Sequence, residues 1–176
     1  MMNATDYTHL KNELATIKKV AIVPHRNPDG DAMGSTLGLY FFLKQLNIEA
    51  TVVAPNDFPE FLAWLPGAET TVIYETETVK ADAILNQAEM VFTLDFNAFH
   101  RTGDAMGAKL ATLDCDFVMI DHHELPDAYA KYTYSDTRMS STCEMVYHFI
   151  CNLGDSHLLN LDIATCLYTG IVTDTG

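Results

Sequence analysis

Apolar positions along this chain alternate between two spacings, one typical of helices and one typical of buried strands. Tyr7, Leu10, Leu14 and Ile17 recur every three or four residues, whereas residues 20–23 form a short unbroken apolar run. The first pattern predicts an amphipathic helix and the second predicts a strand buried on both faces. Further strands are predicted at residues 51–54, 72–73, 90–94 and 117–120, and further helices at 37–46, 79–85, 140–153 and 164–171.

This alternation of strands and helices predicts the fold class. Parallel strands need crossover connections, and these are usually helices that cover the sheet. We therefore expect an α/β fold with a mostly parallel sheet and helices on both faces. Pro55, Pro59 and Pro66 predict an irregular segment, with a short helical piece around Trp64. A chain of 176 residues is long enough for one such domain, so we expect a single domain over residues 1–176.

The charge balance restricts the partners. The formal net charge is −14, from 24 acidic and 10 basic residues. Proteins that grip long nucleic acid duplexes normally carry a basic patch, so this composition argues against that kind of binding. Any polyanion that the protein binds should be small or bridged by metal ions.

Cysteine spacing and apolar runs indicate the compartment. Cys115, Cys143, Cys151 and Cys166 show no C-x-x-C spacing, which favours reduced thiols in a cytoplasmic protein. Charged residues interrupt the apolar positions near the amino terminus, and no apolar run approaches the roughly 18 residues of a membrane helix. We therefore expect neither a signal peptide nor a membrane span.

The segment after the first predicted strand is rich in metal-ligating side chains. Asp29 and Asp31 lie two residues apart, so on an irregular loop Asp29 can serve one ion with His25 while Asp31 faces a second. Gly34 and Ser35 open the next helix, whose free N–H groups and positive end suit a phosphate oxygen. The alternative interpretation is an ordinary Asn-Pro-Asp-Gly turn with an incidental histidine.

Acidic and imidazole side chains also follow later elements. Asp95 ends the run 90–94 and could bridge two ions, although Asp is also a common turn former and helix cap. After the run 117–120, His122 can bind an ion while His123 faces the substrate and Asp121 orients an imidazole. The alternative there is a solvated polar turn. Asp174 lies near the end of the last predicted helix and can add a further carboxylate, or can be an ordinary surface residue.

These side chains are predicted to converge. The carboxyl ends of parallel strands meet at one edge of a sheet, where α/β proteins place their binding sites. The set contains more carboxylates than one ion needs, which predicts a two-metal centre.

In this order and spacing, the motifs resemble the DHH phosphoesterase superfamily. The resemblance covers the chain from about residue 20 to its end and rests on His25-x-Asn-Pro-Asp29-x-Asp31, the strand-end Asp95, Asp121-His122-His123 and the late Asp174. The strings Pro-Asp-Gly-Asp-Ala-x-Gly-Ser (28–35), Ser-Ser-Thr-x-Glu (140–144) and Thr-Gly-Ile-Val-Thr-Asp-Thr-Gly (169–176) are most similar to the nanoRNase and pAp-phosphatase branch. They are less similar to the inorganic pyrophosphatases of the family, which favour Pro-Asp-Thr-Asp-Ser.

The resemblance implies a ligand assignment. One Mn²⁺ would be held by His25, Asp29 and Asp95, and a second would be held by Asp31, Asp95, His122 and Asp174, so that Asp95 bridges the pair. His123 would contact the scissile phosphate or assist the leaving oxygen. Mixed imidazole and carboxylate ligands fit Mn²⁺, or Mg²⁺, better than structural zinc.

The resemblance also implies an activity. We expect a metal-dependent phosphohydrolase that acts on short RNA or on a nucleoside bisphosphate such as pAp. Hydrolysis of cyclic or linear dinucleotides, pyrophosphate or polyphosphate is an alternative, and a non-catalytic metal-binding domain is another. Family members usually continue into a smaller substrate-binding domain, whereas this chain ends at Gly176, just after Asp174. We therefore expect residues 1–176 to be the catalytic domain alone, with turnover impaired. The sequence leaves open whether the protein forms an oligomer.

Overall fold

The computed structural model describes residues 2–176 and has a six-stranded parallel sheet as its centre. The strand order is β3-β2-β1-β4-β5-β6, with every neighbouring pair parallel. The strands are β1 Lys19–Val23, β2 Glu49–Ala54, β3 Val72–Ile73, β4 Met90–Leu94, β5 Asp116–Asp121 and β6 Tyr132–Ser135. The α-helices are α1 Ala4–Leu14, α2 Gly30–Gln45, α3 Thr78–Gln87, α4 Asp104–Leu110, α5 Thr142–Asn152 and α6 Leu161–Thr175. The predicted α/β class is confirmed.

Helices cover both faces of the sheet. Along β1, Val20 and Ile22 belong to one hydrophobic cluster, and Ala21 and Val23 belong to the other. This division follows from the alternation of side chains along a strand, and it explains why the central strands read as unbroken apolar runs. Helices α1, α2, α5 and α6 pack against the first face, and α3 and α4 pack against the second.

Close contact between α2 and α6 fixes the end of the chain relative to the sheet. Gly34 of α2 lies so near to α6 that a Cβ atom there would be 2.5 Å from the Cys166 carbonyl oxygen. Only a residue without a side chain permits this approach of the two backbones. Because α6 is held against α2, its last turn and Asp174 lie beside the amino-terminal end of α2.

Two elements were missed by the periodicity. Strand β6 is an edge strand of four residues, and α4 is a helix of seven residues with small side chains at several positions. Elements this short present too few apolar positions to define a period. Helix α2 also begins at Gly30, earlier than the apolar stripe indicates. Within residues 2–176, no helix has the length and apolar character needed to cross a membrane.

Candidate metal centre

The ligand candidates meet at the carboxyl edge of the sheet. Strands β1, β4 and β5 are adjacent and parallel, so the residues after them are brought together. His25 follows β1 by two residues, Asp95 directly follows β4, and His122 directly follows β5. His25 Nε2 lies 3.4 Å from Asp95 Oδ2, and His122 Nε2 lies 3.5 Å from Asp95 Oδ1. Each oxygen of one buried carboxylate therefore faces a different imidazole.

Asp95 is held in an unusual backbone conformation. Its φ of 65° lies in the left-handed region, which costs energy for most residues and, glycine apart, is tolerated best by Asn and Asp. Its side chain is 3% exposed, and its backbone N–H donates to the Ile120 carbonyl on the neighbouring strand. Such backbone strain clusters at functional sites, and here it turns the carboxylate towards the histidines.

Backbone carbonyls fix the orientation of both histidines. His25 Nδ1 lies 2.8 Å from the Arg26 carbonyl oxygen, and His122 Nδ1 lies 3.3 Å from the Met139 carbonyl oxygen. A carbonyl oxygen only accepts hydrogen bonds, so each Nδ1 must carry the hydrogen. Each Nε2 then faces carboxylate oxygens, which is the arrangement that a metal-ligating histidine adopts.

The remaining carboxylates complete two groups of potential ligands. In each group, one atom per residue lies within 4.8 Å of the others: His25 with Asp29 and Asp95, and Asp31 with His122 and Asp174. A third group of the same kind contains Asp95, His122 and His123. Asp29 Oδ2 is 3.9 Å from His25 Nε2, and Asp174 Oδ2 is 3.9 Å from His122 Nε2. The structure therefore brings together all six residues that the sequence proposes as metal ligands. A donor set of imidazoles and carboxylates fits Mn²⁺ or Mg²⁺.

The amino-terminal end of α5 holds two of these carboxylates in place. The backbone N–H groups of Thr142 and Cys143 donate to the two oxygens of Asp31, at 2.6 and 2.8 Å. The Thr142 hydroxyl donates to Asp95 Oδ1 at 2.8 Å. The sequence predicts a helix over residues 140–153 but does not predict these contacts from its start to the ligands. The string Ser-Ser-Thr-x-Glu at this start was nevertheless part of the family resemblance, and that was the available signal.

Electrostatics at the site reflect this crowding. Burial and the nearby charge of Asp95 raise the pKa of Asp31 to about 6, although N–H donors from α5 oppose the shift. Burial opposes ionisation of Asp95 as well, but His122, His25 and the Thr142 hydroxyl hold the pKa of Asp95 well below its usual value. The Asp95 carboxylate in turn raises the pKa of His122 to about 9. The imidazoles thus take up protons to balance carboxylate charge that a divalent cation can also neutralise.

His123 lies beside the ligands and is held by Asp121. Its Nδ1 lies 2.7 Å from Asp121 Oδ1, and its backbone N–H donates to Asp121 Oδ2 at 3.0 Å. Asp121 is fully buried, whereas the His123 side chain is 45% exposed. These two contacts orient the imidazole and leave Nε2 of His123 available for another partner.

The predicted phosphate contact at the start of α2 does not agree with the structure. Asp29, which was expected on an irregular loop, is the N-cap of α2, and its Oδ1 accepts hydrogen bonds from Asp31 N and Ala32 N. Those N–H groups are therefore satisfied within the protein. Gly34 and Ser35 lie in the second turn and are completely buried, and the Ser35 hydroxyl donates to the Ala32 carbonyl. These two residues pack the helices together and do not face the site.

A parallel α/β sheet whose carboxyl edge brings two histidines and three further aspartates around Asp95 defines an α/β protein with a candidate metal centre. The family model described as the DHH family, N-terminal domain, matches residues 19–171. The chain belongs to this family.

Individual proteins are similar over nearly the whole chain. The bifunctional oligoribonuclease and PAP phosphatase NrnA of Thermus thermophilus is 34% identical over 157 residues, which is 89% of this chain and 43% of that protein. A probable manganese-dependent inorganic pyrophosphatase of Streptococcus thermophilus is 24% identical over 171 residues, which is 90% of this chain and 49% of that protein. The crystal structure of an exopolyphosphatase-related protein from Bacteroides fragilis superimposes with a TM-score of 0.96 at 38% identity, covering 99% of this chain and 51% of that one. The chain thus spans about half the length of the relatives that it matches.

Proposed function

We propose that this protein is a metal-dependent phosphoesterase that hydrolyses short oligoribonucleotides or a nucleoside bisphosphate such as pAp. The observation that carries the proposal is the position of Asp95, one oxygen facing His25 and the other facing His122, with a separate group of carboxylates beside each histidine. The NrnA relative is named as an oligoribonuclease and PAP phosphatase, which supports this substrate class over pyrophosphate.

The ligand assignment is part of the proposal. His25, Asp29 and Asp95 would hold one divalent cation, and Asp31, Asp95, His122 and Asp174 would hold the other, with Mn²⁺ preferred and Mg²⁺ as a substitute. The manganese-dependent relative supports Mn²⁺. When bound, a pair of divalent cations activates a water molecule and neutralises charge on the phosphoryl oxygens.

The protein's own residues orient the reactants. Asp121 fixes the ring of His123 through Nδ1, so the exposed Nε2 can hydrogen-bond to the scissile phosphate or to the leaving oxygen. Thr142 and Cys143 keep the buried Asp31 in position. An acidic protein repels a phosphate ester, and bound cations invert the local field at the edge of the sheet. The substrate is accordingly small enough to be held near the metal centre.

The same proposal includes the domain and the cellular compartment. Residues 1–176 act as the catalytic domain, and the four cysteines are free thiols, in keeping with a cytoplasmic protein. The competing activity is hydrolysis of pyrophosphate or polyphosphate, since two of the similar proteins are named as a pyrophosphatase and as exopolyphosphatase-related.

A substrate panel at fixed Mn²⁺ tests the proposal. The panel contains a 5′-phosphorylated diribonucleotide, pAp, a cyclic dinucleotide, pyrophosphate and tripolyphosphate. We expect the first two to be hydrolysed fastest, and we expect a chelator to abolish the reaction. Faster release of phosphate from pyrophosphate or tripolyphosphate would favour the competing activity, and no hydrolysis of any member would contradict the proposal.

Variants of the ligands connect the activity to the site. Asp95→Asn is suitable because Asn also tolerates the left-handed backbone, and His122→Gln keeps a polar side chain. Both should lower turnover by about a hundredfold or more, since a metal ion contributes several kcal/mol to such a reaction. Asp114→Asn and His157→Gln, at exposed positions outside the ligand groups, are the matched controls and should leave turnover unchanged.

A further inference from the structure

The positive charges of this acidic chain are divided between the two edges of the sheet. All three arginines follow strands at the carboxyl edge: Arg26 lies after β1, Arg101 after β4 and Arg138 after β6. Six of the seven lysines lie at the opposite edge, where helices end and strands begin: Lys11, Lys18, Lys19, Lys44, Lys109 and Lys131. The seventh, Lys80, pairs with Glu77 in the first turn of α3. Among the basic residues, only the three arginines and this paired lysine therefore lie at the carboxyl edge of the sheet, which also carries the candidate metal centre.

The choice of arginine has a chemical meaning. A guanidinium presents five N–H donors in a planar fork that matches phosphate oxygens, whereas a lysine ammonium acts as a point charge. Solubility alone would be served by either residue at either edge. We refer to Arg26 and Arg138, whose guanidinium groups have defined partners, as the arginine rim.

On one side of the site, Arg26 is held in a defined position. Its backbone N–H donates to the Arg101 carbonyl at 2.8 Å, and its Nη2 pairs with Glu75 at 2.5 Å. Gly103 has a φ of 85°, and a Cβ atom at that position would be 3.3 Å from Arg26 Nη1. Glycine at 103 therefore permits both the backbone conformation and the place of the guanidinium.

On the other side, Arg138 has a similar arrangement. Its Nε and Nη2 donate to the two oxygens of Asp136 at 2.9 and 2.8 Å, and 79% of its side chain is exposed. Two of its five N–H donors are used, so others remain for a ligand. The guanidinium is the exposed member of this pair, so its remaining donors are accessible to a phosphate that joins the carboxylate.

Both arginines are also tied to the metal centre by the backbone. The carbonyl of Arg26 fixes His25, and the carbonyl of Met139, next to Arg138, fixes His122. Strand order places β1 and β6 three strand spacings apart, or about 14 Å at the usual spacing of ~4.8 Å. Asp95, which follows β4, lies between them. A ligand that contacts both arginines must therefore extend across the metal centre.

We infer that the arginine rim binds the phosphates of an extended substrate on both sides of the phosphate that reacts. This inference rests on the proposed function and narrows its substrate class to a linear chain of nucleotides joined by phosphodiester groups, namely a short oligoribonucleotide. The two phosphates of pyrophosphate share one oxygen and cannot span the rim. A nucleoside bisphosphate can use one side of it.

The test compares an extended substrate with a minimal one. The extended substrate is a 5′-phosphorylated triribonucleotide, and the minimal one is bis(p-nitrophenyl) phosphate, which carries a single phosphate. Arg26→Met and Arg138→Met should each lower kcat/KM for the triribonucleotide about tenfold, mainly through KM, and leave the minimal ester within twofold. Lys109→Met, at the opposite edge, is the matched control and should change neither. Equal effects on both substrates, or on neither, would overturn the inference.

The carboxylates that pair with the arginines provide a reverse test. Glu75→Gln and Asp136→Asn release the guanidinium groups, so both should lower KM for the triribonucleotide several-fold. Asp114→Asn removes one negative charge from the other edge and should not. If the arginines were only structural, release from their partners would raise KM or leave it unchanged.

Equilibrium binding separates this inference from the proposed function. Binding of a fluorescent triribonucleotide is measured with Ca²⁺ in place of Mn²⁺ over a series of salt concentrations. Each arginine variant that loses one phosphate contact should reduce the slope of log K against log salt concentration by about 0.7. A reduced slope in a protein that hydrolyses nothing would support phosphate binding by the arginine rim and refute the proposed phosphoesterase activity. An unchanged slope in an active enzyme would refute phosphate binding by the arginine rim and leave the proposed function in place. Binding of tripolyphosphate is measured in the same way. Arginine variants that weaken only the binding of tripolyphosphate would overturn the assignment to RNA.

Discussion

The Thr142 hydroxyl donates a 2.8 Å hydrogen bond to Asp95 Oδ1, the same oxygen that faces His122. Thr142 is completely buried, and its backbone N–H donates to Asp31. One residue at the start of α5 therefore positions a carboxylate from each of two distant segments. Partners of this kind orient metal ligands and usually affect metal affinity strongly.

Thr142→Val should weaken Mn²⁺ binding about tenfold, because the hydroxyl is lost while the shape and the backbone N–H remain. Thr142→Ser keeps the hydroxyl and should bind nearly as tightly as the unaltered protein. Calorimetric titration with Mn²⁺ gives both affinities, and unfolding in urea checks that the two variants are similarly folded. Equal affinities for the valine and serine variants would show that the hydroxyl has no such role.

Asp121→Asn should separate metal binding from turnover. Asp121 holds His123 and belongs to none of the three groups of potential metal ligands, so the affinity for Mn²⁺ should stay within about twofold. Turnover should fall by one to two orders of magnitude, in the range found when an orienting partner is lost. His123→Gln should lower turnover to a similar extent. A large loss of Mn²⁺ affinity in Asp121→Asn would mean that Asp121 supports the ligands directly.

The stability of the metal-free protein should depend on the protonation of His122. Its pKa is raised to about 9 in the folded protein, chiefly by Asp95, against about 6.5 in an unfolded chain. A raised pKa means that the protonated form is stabilised by folding, so this contribution is complete below pH 6.5 and is lost as the pH rises through 9. Urea unfolding in the presence of a chelator should show the decrease, and His122→Gln should remove it.

Mn²⁺ should reverse this pH dependence. An imidazole must lose its proton before it binds a metal ion, so the apparent affinity for Mn²⁺ should rise between pH 6.5 and 9. Calorimetry in buffers of different ionisation enthalpy measures the protons released on binding. An affinity that is constant over this interval would exclude His122 as a ligand.

Gly34→Ala should destabilise the protein by about 1–3 kcal/mol, the usual range for overpacking. The added Cβ would be 2.5 Å from the Cys166 backbone carbonyl, which cannot move without displacing α6. Gly38→Ala is the matched control, since its Cβ would meet the flexible end of Leu167 at 2.6 Å. Urea unfolding should rank Gly34→Ala as the more destabilised variant. Its Mn²⁺ affinity should also fall, because α6 carries Asp174.

Different parts of the site were accessible from sequence to different degrees. His25 and His122 were predictable because each follows a strand that reads as an apolar run, and parallel strands end at a common edge. Thr142 was not recognised as part of the site, since its role depends on two hydrogen bonds to residues more than forty positions away. The position of Gly34 and Ser35 near a helix start predicts a contact with a substrate phosphate, which the structure does not show. Asp29 already caps that helix, and close packing against α6 explains the small residues instead.

The sequence by itself determined the α/β class, the order of the main elements and the identity of the side chains at the carboxyl edge, because periodicity and strand-end position are local properties of the chain. Only the tertiary structure decided that Asp95 presents one oxygen to each histidine, that α5 holds Asp31, and that the three arginines border the site. These relationships depend on strand order, helix packing and distances between atoms far apart in the chain. No local pattern of residues encodes them, since each arises only when separate elements pack against the same sheet.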